Sequence, residues 1–319
     1  MGTRRPTDFH RFLLITGEQP VNQRDYRYDR EKNPFNPAAT GFAPNNALCL
    51  AAASNLVYEE SDSLRAEEVH KWGFNQFKLI SIPKKPFIDT QAFVCADPDV
   101  LLVAFRGTEP DDLKDWLTDA QFDLTDGPIK NIKNKVHRGF HEALNAAWPQ
   151  LEAAIADLRT HNQAIWVTGH SLGAALATLA VARLSLGDGV RSQQLDVQGL
   201  YTFGQPRTGN RSFATAFDQR FKGRSFRFVN NNDLIAEVPQ MDLLLRYWHI
   251  DQLIYIDESG KLHPGVSMFR RVLDGLKGLR RDFGRLGFDT LKDHSMNNYV
   301  QAVRKYVEDL KTGQQTPIS

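Results

Sequence analysis

Residues 164–186 read AIWVTGHSLGAALATLAVARLSL. The first five, AIWVT, have the length and apolarity of a short buried strand, and Leu172 to Leu186 form an alanine- and leucine-rich run of helical length. Between them stands Gly169-His170-Ser171-Leu172-Gly173, a G-x-S-x-G pentapeptide. A serine on a sharp strand-to-helix turn has its hydroxyl lifted clear of the sheet, and such a turn is strained, so its flanks must be small. Glycines at 169 and 173 meet that demand. The helix start would aim N–H groups and a positive dipole end at a developing oxyanion, with Leu172 giving one of the N–H donors. Ala174, Ala175, Ala177 and Ala180 let the helix pack closely on the sheet. The competing reading is a tight turn without chemistry; the strand before and helix after favour a nucleophile at Ser171. His170, beside it, reads as structural and directed to the other side of the turn.

Working outward, strand-like and helix-like runs alternate. NNALCLAAASNLVY, from Asn45, has a helical look, and 91–96 and 100–106 are apolar runs split by the turn DPD, a hairpin-like signal. Leu144, Ala147, Trp148, Leu151, Ile155 and Leu158 fall at helical spacing within 141–159. Further strands are expected at 197–204, 225–230 and 253–257, and a last helix from Asp293 to Leu310. This alternation predicts a mostly parallel central sheet covered by helices on both faces. Residues 1–44 are read as an N-terminal arm, irregular over 17–44, and 45–319 as a single catalytic domain.

Composition excludes several classes. The chain has 319 residues, 41% hydrophobic and 24% charged, with a formal net charge of +1. That balance argues against nucleic acid as a partner, since such binders carry a strongly basic face. Cys49 and Cys95 sit among apolar residues and read as buried thiols, not as a disulfide framework. No His/Cys/Asp cluster has metal-ligand spacing, so neither a metal nor an organic cofactor is expected. No stretch reaches the roughly 18 apolar residues of a transmembrane span. The start of the chain lacks the apolar run of a signal peptide. A protein made without one is the default expectation, and a chain whose signal has been removed would look similar.

GHSLGAALATLA resembles the nucleophile elbow of the class 3 lipases, the fungal-lipase-like branch of the α/β-hydrolases. Other stretches are similar to that family in the same order: LLVAFRGTEPDDLKDWLTD (101–119), VHRGFHEAL (136–144), FGQPRTGN (203–210) and FRFVNNNDLIAEVP (226–239). The resemblance covers roughly 45–310. It implies an α/β-hydrolase fold and ester hydrolysis. It also implies Thr108 as the second oxyanion-hole residue beside Leu172, Asp233 as the triad acid and His294 as the base. The chain departs from the fungal members in lacking their disulfides and in an insertion-like stretch at about 262–292.

The acid and base can also be weighed residue by residue. In this fold the order is Ser, then Asp or Glu, then His. After Asp233 come only His249, His263 and His294. His294 lies at a loop-to-helix junction and is preferred. His249 stands in an apolar strand-like context, and His263 sits beside Pro264 on a turn. For the acid, Asp251 and Asp257 are the rivals, and a turn-capping aspartate is the alternative role for Asp233. His137 and His141 read as structural.

Two amphipathic stretches are candidate lids. One is 109–120, with Leu113, Trp116 and Leu117 on one helical face. The other lies within 262–290, where apolar and basic residues alternate at helical spacing over 266–288, as in helices that lie on lipid surfaces. Glycines at 275, 278, 284 and 287 would weaken such a helix. The expected substrate is therefore an acylglycerol or another ester, with a lipid–water interface as a candidate partner. Triacylglycerol lipase leads, with phospholipase A1 or a short-chain esterase as alternatives. A catalytically silent lipase-fold scaffold, or a peptidase or thioesterase on the same fold, are readings of other classes.

Overall fold

A computed structural model describes residues 24–84, 88–108, 123–231, 233–237, 246–265 and 293–318. Both candidate lids, 109–120 and the 266–290 part of the second, lie outside the described residues.

The elements in chain order are α1 (Pro44–Leu56), α2 (Asp62–Lys71), β1 (Gln76–Lys84), β2 (Ile88–Ala96) and β3 (Val100–Phe105). They continue with β4 (Leu124–Asp126), β5 (Lys135–His137), α3 (Arg138–Leu158), β6 (Ala164–His170), α4 (Leu172–Leu186) and β7 (Val197–Phe203). The last are α5 (Arg211–Phe221), β8 (Ser225–Asn230), a 3-10 turn (Leu234–Glu237), β9 (Gln252–Ile256), β10 (Leu262–Pro264) and α6 (Met296–Lys311).

Eight strands form one sheet in the order β1-β2-β3-β6-β7-β8-β9-β10. β3, β6, β7, β8 and β9 run parallel, while β1-β2, β2-β3 and β9-β10 are antiparallel. β3 (VLLVAF) is buried along its whole length, as a central strand covered on both faces must be. Its alternate side chains feed two cores. Leu101, Val103 and Phe105 pack with Phe140, Leu151 and Leu176 from α3 and α4. Leu102 and Ala104 pack with Leu48, Ala51, Tyr299 and Val303 from α1 and α6. The sheet is thus helix-covered on both sides, and the α/β-hydrolase fold follows from this layering and topology.

Residues 24–43 form neither helix nor strand, yet Tyr28, Phe35 and Ala39 are buried. Phe35 stands edge-on to Trp166, with ring centroids 5.3 Å apart, and Trp166 Nε1 donates to the Pro37 carbonyl at 3.2 Å. The hairpin-like signal at 91–106 corresponds to the β2-β3 antiparallel pair. The last helix begins at Met296, not Asp293, because Ser295 adopts an extended conformation as its N-cap (φ −60°, ψ 129°). β1, α2 and α5, and the three-residue strands β4, β5 and β10, were not expected from the sequence.

Parallel strands bring their carboxyl ends to one edge. The loops after β3, β6, β7 and β8 therefore meet, and a crevice outside such an edge is where open α/β sheets gather their reactive groups.

Candidate active site

Ser171 leaves β6 at φ 57°, ψ −129°, a conformation that L-residues other than glycine rarely adopt. The turn is held by two backbone bonds of 3.0 Å: the Ser171 N–H donates to the Phe203 carbonyl, and the Ala174 N–H donates to the Ser171 carbonyl. The flanking glycines are needed for close approach. A methyl group on Gly169 would stand 2.4 Å from the Gly173 carbonyl oxygen, and one on Gly173 would stand 2.4 Å from that of Phe105. Ser171 is 0% exposed, and its Oγ makes no hydrogen bond. Leu172 opens α4, so its N–H is among those the helix cannot satisfy internally.

Asp233 and His294 meet in the same region. His294 Nδ1 lies 2.8 Å from Asp233 Oδ2, and both side chains are almost wholly buried. Asp233 Oδ1 accepts the Ile235 N–H at 2.9 Å, while Oδ2 also accepts the Tyr299 hydroxyl at 2.5 Å. Burial by itself would push this carboxyl up. The adjacent His294, its hydrogen bond and that of Tyr299 outweigh burial and hold Asp233 below the usual carboxylate range. A carboxylate can only accept, so Nδ1 carries the proton and the lone pair of the neutral ring lies on Nε2. Nε2 is buried without a hydrogen-bond partner, as is Ser171 Oγ.

The loop after β3 passes directly over the elbow. A methyl group on Gly107 would stand 2.4 Å from the His170 carbonyl oxygen and 3.0 Å from Ser171 Cβ. Thr108 is the next residue, partly exposed. Gly204, just beyond β7, has φ 57°, and a methyl group there would lie 2.8 Å from both Asp233 Oδ2 and His294 Cε1. This glycine lets the backbone press against the Asp–His pair.

Several participants were invisible in the sequence. Tyr299 and Gly204 touch the pair, and Tyr58 reaches the loop after β3 from α1's C-terminal side. Their only sequence signals are a tyrosine in an amphipathic helix, a glycine after a strand and a tyrosine in an apolar run, all commonplace. His170 is buried, but its ring centroid lies 4.5 Å from that of His294. Its Nε2 is 2.7 Å from the His294 carbonyl oxygen, and its Nδ1 is 2.8 Å from the Tyr58 hydroxyl.

The rival residues are engaged elsewhere. His263 Nε2 pairs with Asp257 Oδ2 at 2.7 Å across the β9-β10 turn. His249 stands outside any strand, half-buried near Arg227 and Arg207. Asp251 accepts the hydroxyl of Ser225. His137 caps α3 by accepting the Phe140 N–H at 3.3 Å, and burial lowers its pKa to about 4. Cys49 and Cys95 are buried free thiols. Among the described residues, no three His, Cys, Asp or Glu side chains are placed to hold a metal ion, and no helix is long and apolar enough to cross a membrane.

Residues 102–243 match the family model "Lipase (class 3)". The chain is 29% identical over 256 residues to a triacylglycerol lipase of Arabidopsis thaliana, covering 66% of this chain and 48% of the plant protein. It is 31% identical over 199 residues to a secreted mono- and diacylglycerol lipase of Fusarium solani, covering 60% of this chain and 54% of the fungal one. The chain thus spans about half the length of the curated relatives it matches. Its fold is similar to the crystal structure of a mono- and diacylglycerol lipase from Aspergillus oryzae, with TM-score 0.55 and 27% identity, over 67% of this chain and 80% of that one.

Proposed function

We propose, because residues 102–243 match the class 3 lipase family model, that the chain hydrolyses carboxylic esters, with a triacylglycerol as the leading substrate. Ser171 Oγ attacks the ester carbonyl while His294 Nε2 takes its proton. Asp233 holds the imidazole in the required tautomer and balances its charge once it is protonated. The N–H groups of Leu172 and Thr108 hold the oxyanion; losing one such donor commonly costs about 10²–10³ in turnover. His294 then returns the proton to the leaving alcohol, and water, activated by the same imidazole, releases the fatty acid from Ser171.

The observation that carries this reading is the 2.8 Å Asp233–His294 bond, in a cluster that leaves only Ser171 Oγ and His294 Nε2 of the three side chains unpaired. Buried polar atoms are seldom left so, and a nucleophile waiting for its base is a good reason. The names of the plant and fungal relatives, a triacylglycerol lipase and a mono- and diacylglycerol lipase, support an acylglycerol as the substrate.

The test is hydrolysis of p-nitrophenyl esters from acetate to palmitate beside an emulsified triacylglycerol, with fluorophosphonate labelling in parallel. Turnover of the long-chain esters and the emulsion, with labelling lost in Ser171→Ala, is the expected result. Activity confined to acetate and butyrate would demote the reading to a short-chain esterase. No labelling of the unaltered chain would leave a silent scaffold.

A further inference from the structure

Four groups from distant parts of the chain lie in one line. The Gly107 N–H donates to the Tyr58 hydroxyl at 3.1 Å. That hydroxyl is 2.8 Å from His170 Nδ1, and His170 Nε2 is 2.7 Å from the carbonyl oxygen of His294. The direction of every bond is settled by chemistry. A carbonyl only accepts, so Nε2 carries a proton and donates to His294. His170 is buried beside His294 and Arg24, which drives its pKa well below the ordinary histidine value, so the ring is neutral. Its Nδ1 must then accept, so Tyr58 donates to it and keeps a lone pair for the Gly107 N–H. One imidazole ring, through both of its nitrogens, and one hydroxyl thus connect the loop carrying Thr108 to the loop carrying His294.

We propose that Tyr58 and His170 are positioning residues, forming a bridge that fixes the backbone of the oxyanion loop and the backbone of the base loop relative to Ser171. His170 is the residue before Ser171, so the elbow itself is the middle of the bridge. Tyr58 is clasped on its ring by Arg24 and Arg106, whose guanidinium carbons lie 4.8 and 5.7 Å from the ring centroid. Those contacts hold the hydroxyl where both of its bonds can form. Both residues bond to backbone groups here, Tyr58 to the Gly107 N–H and His170 to the His294 carbonyl. Their effect is to keep the oxyanion donor and the imidazole at a fixed separation, and a displacement of about 1 Å at such a site can cost about 10² in rate. The inference rests on the ester-hydrolase reading above.

The test is a double-mutant cycle on p-nitrophenyl butyrate hydrolysis, with active sites counted by fluorophosphonate titration so that misfolded protein does not enter the rate. Tyr58→Phe removes one oxygen and keeps the ring between its arginines. It should lower kcat per titrated site about tenfold, as expected for the loss of about 1–2 kcal/mol of bonding, with KM within about twofold. His170→Gln should lower kcat too, but less than His170→Ala, because its amide can still donate to the His294 carbonyl. In the His170→Gln background, Tyr58→Phe should cost clearly less than it does alone, since its partner Nδ1 is already gone. A merely structural role would lower thermal stability but leave kcat per site unchanged, and would make the two losses additive; either result overturns the inference. If the unaltered chain neither turns over esters nor takes the label, the hydrolase reading falls and the bridge falls with it. Normal turnover with an undiminished Tyr58→Phe removes the bridge alone.

Discussion

Tyr299 and His294 share one oxygen: the Tyr299 hydroxyl donates to Asp233 Oδ2 at 2.5 Å, and His294 Nδ1 approaches the same atom at 2.8 Å. The carboxylate is buried, so each donor offsets part of the cost of keeping it charged. Tyr299 itself takes the Asn230 N–H on its oxygen at 3.1 Å, so the Asp233 carboxylate is tied both to β8 and to α6. Tyr299→Phe should therefore lower kcat several-fold with little change in KM. It should also cost about 1.5–3 kcal/mol of stability, the range for hydrogen bonds to charged groups. Steady-state kinetics beside denaturant unfolding would check both; unchanged kcat would show that His294 alone suffices to orient Asp233.

Replacing the proposed nucleophile, Ser171, separates strain from chemistry. Ser171→Ala and Ser171→Gly should each reduce ester turnover by about 10⁵–10⁶, since a triad without its nucleophile loses nearly all of its effect. Their stabilities should differ. Ser171 sits at φ 57°, ψ −129°, where glycine is unstrained and alanine is not. Ser171→Gly should unfold at a higher temperature than Ser171→Ala, by roughly 1 kcal/mol of stability or more. Equal melting temperatures would mean that the elbow stores no strain.

Gly204 offers a second backbone test. A side chain there would be strained by the positive φ and would stand 2.8 Å from Asp233 Oδ2 and His294 Cε1. Gly204→Ala should cost about 1–2 kcal/mol from the backbone alone. It should also lower kcat by more than tenfold by pushing the Asp–His pair apart, read as loss of rate per fluorophosphonate-titrated site. A variant with full activity would show that the loop after β7 yields freely.

Two aspartates give stability opposite pH dependences. Asp251 has its carboxyl enclosed, and burial, aided by Asp218, raises its pKa to about 8 despite the Ser225 hydroxyl and Arg227. The folded state therefore holds a proton that the unfolded chain, near 3.8, releases. Its contribution is full at low pH and declines as pH rises from about 4 through about 8. Asp251→Asn should flatten the fall in melting temperature between about pH 4 and about pH 8; an unchanged slope would contradict a protonated Asp251. Asp233 acts in the other sense. Its pKa is held below 3.8, so its contribution is present at neutral pH and is lost as pH falls through the lowered value. Acid unfolding of Asp233→Asn should begin from a lower stability and depend less on pH.

Reading from residues alone reached the elbow, the alternation of strands and helices, and the order serine, aspartate, histidine. These are local or serial properties. G-x-S-x-G states a backbone turn within five residues, and apolar periodicity states which segments face a core. The family resemblance added Asp233, His294 and Thr108. The bonds around them were not legible, because Tyr58, Gly107, Gly204 and Tyr299 are chemically ordinary residues whose significance comes from whom they meet.

What the sequence determined by itself, then, was the menu: a serine that must sit on a tight turn, a set of short buried strands, and three histidines late enough to serve as base. Tertiary structure gave them different partners. It paired His263 with Asp257, set His249 beside arginines, and brought His294 to Asp233 and His170. The physical reason is that parallel strands carry their carboxyl ends to one edge, so loops far apart in the chain converge there. Hydrogen bonds between such loops depend on distances of a few tenths of an ångström, which no pattern along the chain encodes.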